Sequence, residues 1–264
     1  MLLREAVSVG DVQANWRMAM LSHVGRVRAR NEDFLLCDES RRFAVLADGM
    51  GGHAGGAVAS RLAVAAWVER IGECETGTVG EQDLLAAVDA ANRAVFLAAC
   101  EDPGLRRMGT TLVGACFRVD GILLTCHVGD SRLYRLREGV LDCLTRDHSV
   151  LREQCDAGMI QSESSGPLAL RGLLTRAVGV AMDVMPDVAS FALRPDDVYL
   201  LCSDGLTEML PDADIADVLG ALGGSPRLAV EHLIDLANDR GGMDNISALV
   251  VAARTAGRLG AEFG

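Results

Sequence analysis

Nowhere in these 264 residues does an apolar run approach the roughly 18 residues that a membrane-spanning helix needs. The N-terminal stretch, with Glu5 and Asp11 near its start, lacks the pattern of a signal peptide. A soluble, cytoplasmic protein with no membrane partner is therefore expected. Basic residues are also in short supply, with 25 Lys and Arg against 37 Asp and Glu and a net charge of −12. Nucleic acid and anionic membrane surfaces both need basic patches, which excludes them as main partners. The eight cysteines, Cys37, Cys74, Cys100, Cys116, Cys126, Cys143, Cys155 and Cys202, form no Cys-x-x-Cys pair, and several lie inside apolar segments. They read as free thiols of a reducing compartment. The five histidines show no zinc-ligand spacing. Obvious linkers are absent too, so one folded domain is expected over residues 17–254, with a short extension over 1–16 that either adds an edge strand or stays mobile, and a tail over 255–264.

What the chain does have is a repeated way of ending a strand. The apolar segment 43–47 stops at Asp48, and Gly49, Gly51, Gly52 and Gly56 follow within eight residues before a helical pattern begins. A carboxylate at the tip of a buried strand loses hydration, which only hydrogen bonds, a cation or a metal can offset. The glycines allow close approach of backbone or ligand. A tight turn with Asp48 capping the helix accounts for the same residues. The pattern returns where the apolar stretch 198–202 runs into Asp204-Gly205, and where Asp244 precedes the last apolar strand, 246–252. Asp130 and Asp33 occupy similar edges. Five carboxylates so placed point to oxygen ligation of hard divalent cations, Mg²⁺ or Mn²⁺, in preference to zinc. A carboxylate shared by two ions about 3.5–4 Å apart creates a bridging water acidic enough to be a nucleophile near neutral pH.

Periodicity predicts strands over 17–23, 34–37, 110–119, 122–128, 132–137 and 188–193, and helices over 56–70, 82–99, 214–222 and 227–238. Asp120-Gly121 between two apolar runs signals a hairpin. Gly129-Asp130-Ser131 reads as a turn between the next two strands, which are expected to be antiparallel. Asp130 is then either a turn former bonded to its own backbone or a cation ligand. The pattern fails over 146–172, read as a surface excursion carrying one short helix near 150–158 and acting as a flap beside the site. The last dozen residues are expected to be disordered.

Eight stretches, in order and at compatible spacing, carry a resemblance: Arg28-Ala-Arg-Asn-Glu-Asp33, Asp48-Gly-Met-Gly-Gly-His53, Gly109-Thr-Thr-Leu-Val-Gly114, Val128-Gly-Asp-Ser-Arg132, Thr145-Arg-Asp-His148, Leu174-Thr-Arg-Ala-Val-Gly179, Cys202-Ser-Asp-Gly-Leu206 and Gly241-Gly-Met-Asp-Asn245. From about Met18 to Ala252 the chain resembles the bacterial 2C-type (PPM) metal-dependent serine/threonine protein phosphatases. The resemblance implies an α+β fold of four layers, α-β-β-α, with a central sandwich of two antiparallel sheets flanked by helices on both outer faces. It implies Mn²⁺ or Mg²⁺ as cofactor, two ions bound tightly and a third more weakly. Asp48 would bridge the tight pair, Gly49 would lend its carbonyl, and Asp204 and Asp244 would complete the set. Glu32 would hold metal-bound water and Asp33 would orient the shell, while Asp130 would share the third ion with Asp204. Arg28 would grip the substrate phosphate.

Met50 stands where animal relatives carry a histidine proposed as general acid, which leaves His53 as the nearest candidate donor to the leaving group. His148 reads as structural. The implied activity is hydrolysis of phosphoserine and phosphothreonine by a metal-activated water. The implied partners are phosphorylated proteins, a bacterial Ser/Thr kinase and its substrates among them, met by a monomeric enzyme.

Overall fold

The computed structural model describes residues 14–51, 55–161 and 166–255. Two antiparallel sheets lie face to face. In the first, β1 (Ala14–His23) neighbours β11 (Ile246–Thr255), followed by β10 (Val198–Cys202), β7 (Arg132–Arg137) and β8 (Val140–Cys143). The second runs β2 (Asp33–Asp38), β3 (Phe43–Met50), β5 (Leu112–Phe117), β6 (Ile122–Val128) and β9 (Asp187–Ala192), with the two-residue β4 (Gly109–Thr110) paired to the end of β3. Helices α1 (Gly55–Gly72) and α2 (Glu81–Glu101) cover the second sheet. The short α4 (Asp204–Thr207), with α5 (Asp212–Leu222) and α6 (Pro226–Asp239), covers the first. The expected four layers are present, and α3 (Val150–Asp156) lies in the excursion where a short helix was predicted.

Side chains alternate across a strand, so a sheet buried on both faces needs apolar residues at every position. In β3, Phe43, Val45 and Ala47 join the core under α1 and α2, while Ala44 and Leu46 face the other sheet. Likewise β10 sends Val198, Leu200 and Cys202 toward α4 to α6, and Tyr199 and Leu201 into the sandwich. Trp16, Phe117 and Tyr199 meet in that middle layer, the first pair tilted and the second edge to face, with ring centroids 4.6 and 5.5 Å apart. Gly114 in β5 makes room for Trp67 of α1, since a Cβ there would lie 2.8 Å from the indole.

Two expectations are corrected. The strands 122–128 and 132–137 do not pair with each other: β6 pairs with β5 and β9, and β7 with β10 and β8. Residues 129–131 therefore cross from one sheet to the other. Gly129 has φ +103°, a left-handed conformation, and its position against Thr111 leaves no room for a side chain. The first strand begins at Ala14, so residues 14–16 of the extension add to this edge strand, which pairs with β11 along ten residues. That same pairing carries β11 to Thr255, past the start of the expected disordered segment; residues 256–264 lie outside the described residues. Strand β8, with only one strand partner and mixed polarity, had no clear pattern in the sequence.

The loop entering β10 is anchored by a buried ion pair. Arg137 Nε and Nη2 donate to the two carboxylate oxygens of Asp197, both at 2.7 Å, and Tyr199 Oη donates to Asp197 Oδ2 at 2.7 Å. Burial alone would raise the Asp197 carboxyl, but these donors and the Arg194 amide bring it below its usual range. Asp197→Ala removes the acceptor of both Arg137 and Tyr199 and leaves the guanidinium only the Ala192 carbonyl, and a loss of about 3 kcal/mol is expected. Urea unfolding of the variant, compared with Arg137→Ala and the double variant, measures it; a loss under about 0.5 kcal/mol would assign the pair no structural role.

Candidate metal centre

Strand register gathers the carboxylates at one end of the sandwich. Asp33 opens β2 and faces Asp48 near the end of β3. Asp204 begins α4 just after β10, and Asp244 stands just before β11; the pairing of Cys202 with Ala248 brings these two ends together. Asp130 lies on the crossing into β7, whose first residue, Arg132, pairs with Cys202. Glu32, Asp48, Gly49, Asp130, Asp204 and Asp244 line one cleft of about 580 Å³, and Arg28 and Met50 border it.

Neighbouring motifs fix this geometry. The Asp48 amide donates to Thr111 Oγ1 at 2.9 Å, and its carbonyl accepts from the Thr111 amide at 2.9 Å and from Thr110 Oγ1 at 2.8 Å. A Cβ on Gly49 would lie 2.0 Å from the Gly56 carbonyl oxygen and 2.6 Å from that of Glu32, so the tip of β3 and the start of α1 meet only because both positions are glycine. Asn245 Oδ1 accepts from the Glu32 amide at 2.8 Å, while Nδ2 donates to the Val24 and Arg30 carbonyls at 3.0 and 2.8 Å. Arg28 Nη2 donates to Asp244 Oδ2 at 2.5 Å, its sole hydrogen bond among the described residues.

Asp33 lies beneath the cleft rather than in its lining. Its Oδ2 accepts from Ser203 Oγ at 2.9 Å and Ser247 Oγ at 2.7 Å, and its Oδ1 is buried without a partner. Burial pushes its carboxyl up to about 6, against the pull of the two serine hydroxyls. Burial and the charges of Asp33, Asp204 and Asp130 raise Asp48 well above the carboxylate range, and burial with Asp130, Glu208 and Asp244 does the same to Asp204. Asp130 is pushed up to about 7 by burial and by Asp147. Arg132, which stands beside Asp130, spends its guanidinium on Asp147 through two nitrogens.

Repulsion of this kind is relieved by cations. The donor set is all oxygen, and Asp33 Oδ1 and Asp204 Oδ1 are buried with no hydrogen-bond partner. These residues fit Mg²⁺ or Mn²⁺. The structure thus brings together Arg28, Glu32, Asp48, Gly49, Asp130, Asp204 and Asp244, with Asp33 directly below. His53 lies outside the described residues. His148 holds the crossing, with Nδ1 accepting from the Gly129 amide at 3.2 Å and its ring stacked on His127 at 4.6 Å. Sequence reasoning gave no role to Ser203, Asn245 or Ser247. Ser203 and Asn245 each adjoin a predicted ligand, which was the available signal; Ser247 offered none.

The sequence profile of the family described as Protein phosphatase 2C matches residues 22–223. Serine/threonine protein phosphatase PstP of Mycobacterium tuberculosis is 39% identical over 240 residues, which is 89% of this chain. The chain spans 44% of that relative's length. The solved catalytic domain of PstP in complex with two manganese ions superposes with a TM-score of 0.83 at 36% identity, covering 92% of this chain and all of that one. PppA, described as a key regulatory component of T6SS in Pseudomonas aeruginosa, gives a TM-score of 0.78 at 37% identity over 90% of this chain and 97% of its own.

Raised carboxyls favour the protonated folded state, so their contribution to stability is complete below the usual value near 4 and is lost as pH rises through about 6 to 7. Chelator-treated protein should therefore lose stability between about pH 4 and 7, by about 3 kcal/mol from Asp33 alone. Excess Mn²⁺ should raise the unfolding midpoint far more at pH 8 than at pH 5. Equal midpoints at the two pH values without metal would show that groups of the chain itself neutralise the cluster.

Proposed function

The chain belongs to the protein phosphatase 2C family, and from that premise we propose that it is a metal-dependent protein serine/threonine phosphatase acting on phosphoserine and phosphothreonine. The observation that carries the reading is the meeting of Asp48, Asp130, Asp204 and Asp244 in one cleft that Arg28 also borders. In this reading Asp48, the Gly49 carbonyl, Asp204 and Asp244 hold two Mn²⁺ or Mg²⁺ ions tightly. Asp130 and Asp204 hold a third more weakly, and Glu32 binds water of the shell. When bound, the ions supply an acidified water as nucleophile and draw off negative charge. The likeness to a catalytic domain in complex with two manganese ions supports that assignment.

The chain's own groups do the positioning. Arg28 stands where a planar guanidinium can take two phosphate oxygens, and only one of its nitrogens is engaged, on Asp244. Asn245 fixes the backbone of Arg30 and Glu32, so the segment carrying Arg28 is held from behind. Asp33, tied to Ser203 and Ser247, sets a fixed negative charge under Asp48. The leaving alcohol takes its proton from His53 or from water of the metal shell. The excursion around α3 acts as a flap that selects protein substrates.

Partners in this reading are phosphorylated proteins, with a Ser/Thr kinase and its substrates as the finer assignment, met by a monomer in the cytoplasm. Among the described residues no helix is long and apolar enough to cross a membrane. The likeness to PppA supports a setting in which such dephosphorylation governs a secretion machine.

Phosphate release from a phosphothreonine peptide with Mn²⁺, repeated with chelator, tests the activity. Asp48→Asn should lower turnover by about a thousandfold or more while the circular dichroism spectrum is unchanged. Substantial Mn²⁺-dependent turnover by that variant would sink the reading. Asp130→Asn should keep thermal stability and tight metal binding but shift the Mn²⁺ dependence of turnover to higher concentration; lost stability with an unaltered titration would assign Asp130 to the crossing alone. Arg28→Ala should reduce kcat/KM by about a hundredfold with metal affinity retained. Unchanged kinetics on peptide and aryl phosphate would remove Arg28 from the site.

A further inference from the structure

Many arginines among the described residues are spent on aspartates, among them Arg118 on Asp120, Arg135 on Asp142, Arg137 on Asp197 and Arg176 on Asp187. Arg106 and Arg107 are different. They are exposed, adjacent, and have no ion pair or hydrogen bond from their side chains among the described residues. Both border a groove of about 560 Å³ whose apolar lining includes Phe96, Ala99, Met108 and Val180. Val180 is 62% exposed, yet the loop that carries it is pinned. The buried Asn92 accepts from the Gly179 amide at 2.7 Å and donates to the Ala181 and Met182 carbonyls at 3.0 and 2.8 Å. A fixed loop presenting an uncovered apolar side chain suits a docking surface, because little ordering is left for binding to impose.

This groove shares a wall with the carboxylate cleft. Gly51 lines the cleft, and its backbone lies so close to Arg107 and Met108 that an added Cβ would sit 2.7 Å from Met108 Cα and 2.9 Å from the Arg107 carbonyl oxygen. Met50, also in the cleft, meets Gly109, which in turn abuts Val180. A peptide leaving the cleft across Met50 and Gly51 therefore enters directly between the two arginines and the apolar floor. We propose that this groove binds the stretch of a phosphoprotein substrate flanking its phosphorylated residue, with acidic side chains on Arg106 and Arg107 and an apolar one on Phe96, Met108 and Val180. The proposal rests on the phosphatase reading for the seating of the phosphorylated residue itself. It makes the enzyme selective for acidic flanks, which complement this basic patch although the molecule as a whole carries net negative charge.

The test uses phosphothreonine peptides that differ only in their flanks, Asp/Glu, Asn/Gln or Lys, with an aryl phosphate as the substrate that has no flank. Wild type should prefer the acidic peptide over the neutral one by about tenfold in kcat/KM at low salt, through KM, with less preference at high salt. The double variant Arg106→Ala/Arg107→Ala should lose that preference with aryl phosphate turnover unchanged. Arg106→Lys/Arg107→Lys should retain much of it. Absence of preference in wild type, its survival in the alanine variant, or an equal fall on aryl phosphate would each overturn the proposal. Fluorescence anisotropy of the labelled acidic peptide separates the two readings. If no phosphopeptide is hydrolysed yet the peptide binds in an arginine-dependent way, the phosphatase reading fails and the groove stands; arginine-independent binding removes the groove.

Discussion

Four aspartates share one end of this sandwich, and their mutual repulsion is the constraint on which the rest of the site depends. Asp48 and Asp204 are surrounded by negative charge and removed from water, and each is driven toward its protonated form for both reasons. A protein that only needed to fold would not place them there. The fold tolerates the cluster because it is built at the ends of strands whose other residues are fully buried. Val45, Leu46, Leu200, Leu201, Leu249 and Val250 are all inaccessible to solvent. Burial of a large aliphatic side chain contributes about 1.5–3 kcal/mol, so a few such residues offset one unsatisfied carboxylate. The surplus repulsion is then available for binding divalent cations, which gain most where the chain's own compensation is least.

That economy requires the two sheets to end together. Asp48 comes from one sheet and Asp204 and Asp244 from the other, so a slip of one residue in any pairing would turn the carboxylate to the opposite face. The register is held by apolar residues on both faces of every central strand, and by the crossing at Gly129, which links the sheets within three residues and delivers Asp130. Thr111 ties this crossing to β3. Its amide and hydroxyl bond the backbone of Asp48, and its hydroxyl lies 2.7 Å from that of Ser131. The Gly109-Thr-Thr stretch is thus a clamp between two ligand-bearing segments, without nucleophilic chemistry of its own.

Much of this was legible in the sequence, and the limits have physical causes. Apolar runs marked β3, β6, β10 and β11, because strands buried on both faces leave an unbroken signal. Asp48 and Asp204 stood out because an aspartate followed by glycine at the end of such a run has no packing reason to be there. Pairing was another matter. Gly129-Asp130-Ser131 has the composition of a hairpin turn, and composition cannot tell a chain that folds back from one that steps to a facing sheet. Edge strand β8, with Val140 exposed and Cys143 exposed, carries too little burial to impose a pattern. Ser247 was illegible for the opposite reason: it sits inside an apolar strand, and only the tertiary structure shows its hydroxyl reaching Asp33 across the sandwich.

Asn245 shows how a residue without charge can govern a charged site. Its side chain fills three hydrogen-bonding roles at once, toward Val24, Arg30 and Glu32, and so fastens the 24–32 segment to the turn that bears Asp244. The Arg26 amide adds a bond to the Gly242 carbonyl at 2.7 Å, and Gly25 packs so closely on Asp244 that a Cβ would lie 2.1 Å from its carbonyl oxygen. Arg28 and Asp244 are therefore positioned by one rigid unit, and their contact follows from the backbone as much as from their charges. On the phosphatase reading, Asp244 would hold a cation and Arg28 would take phosphate, so the same carboxylate would serve both, from a backbone that Asn245 and Gly25 already hold in place.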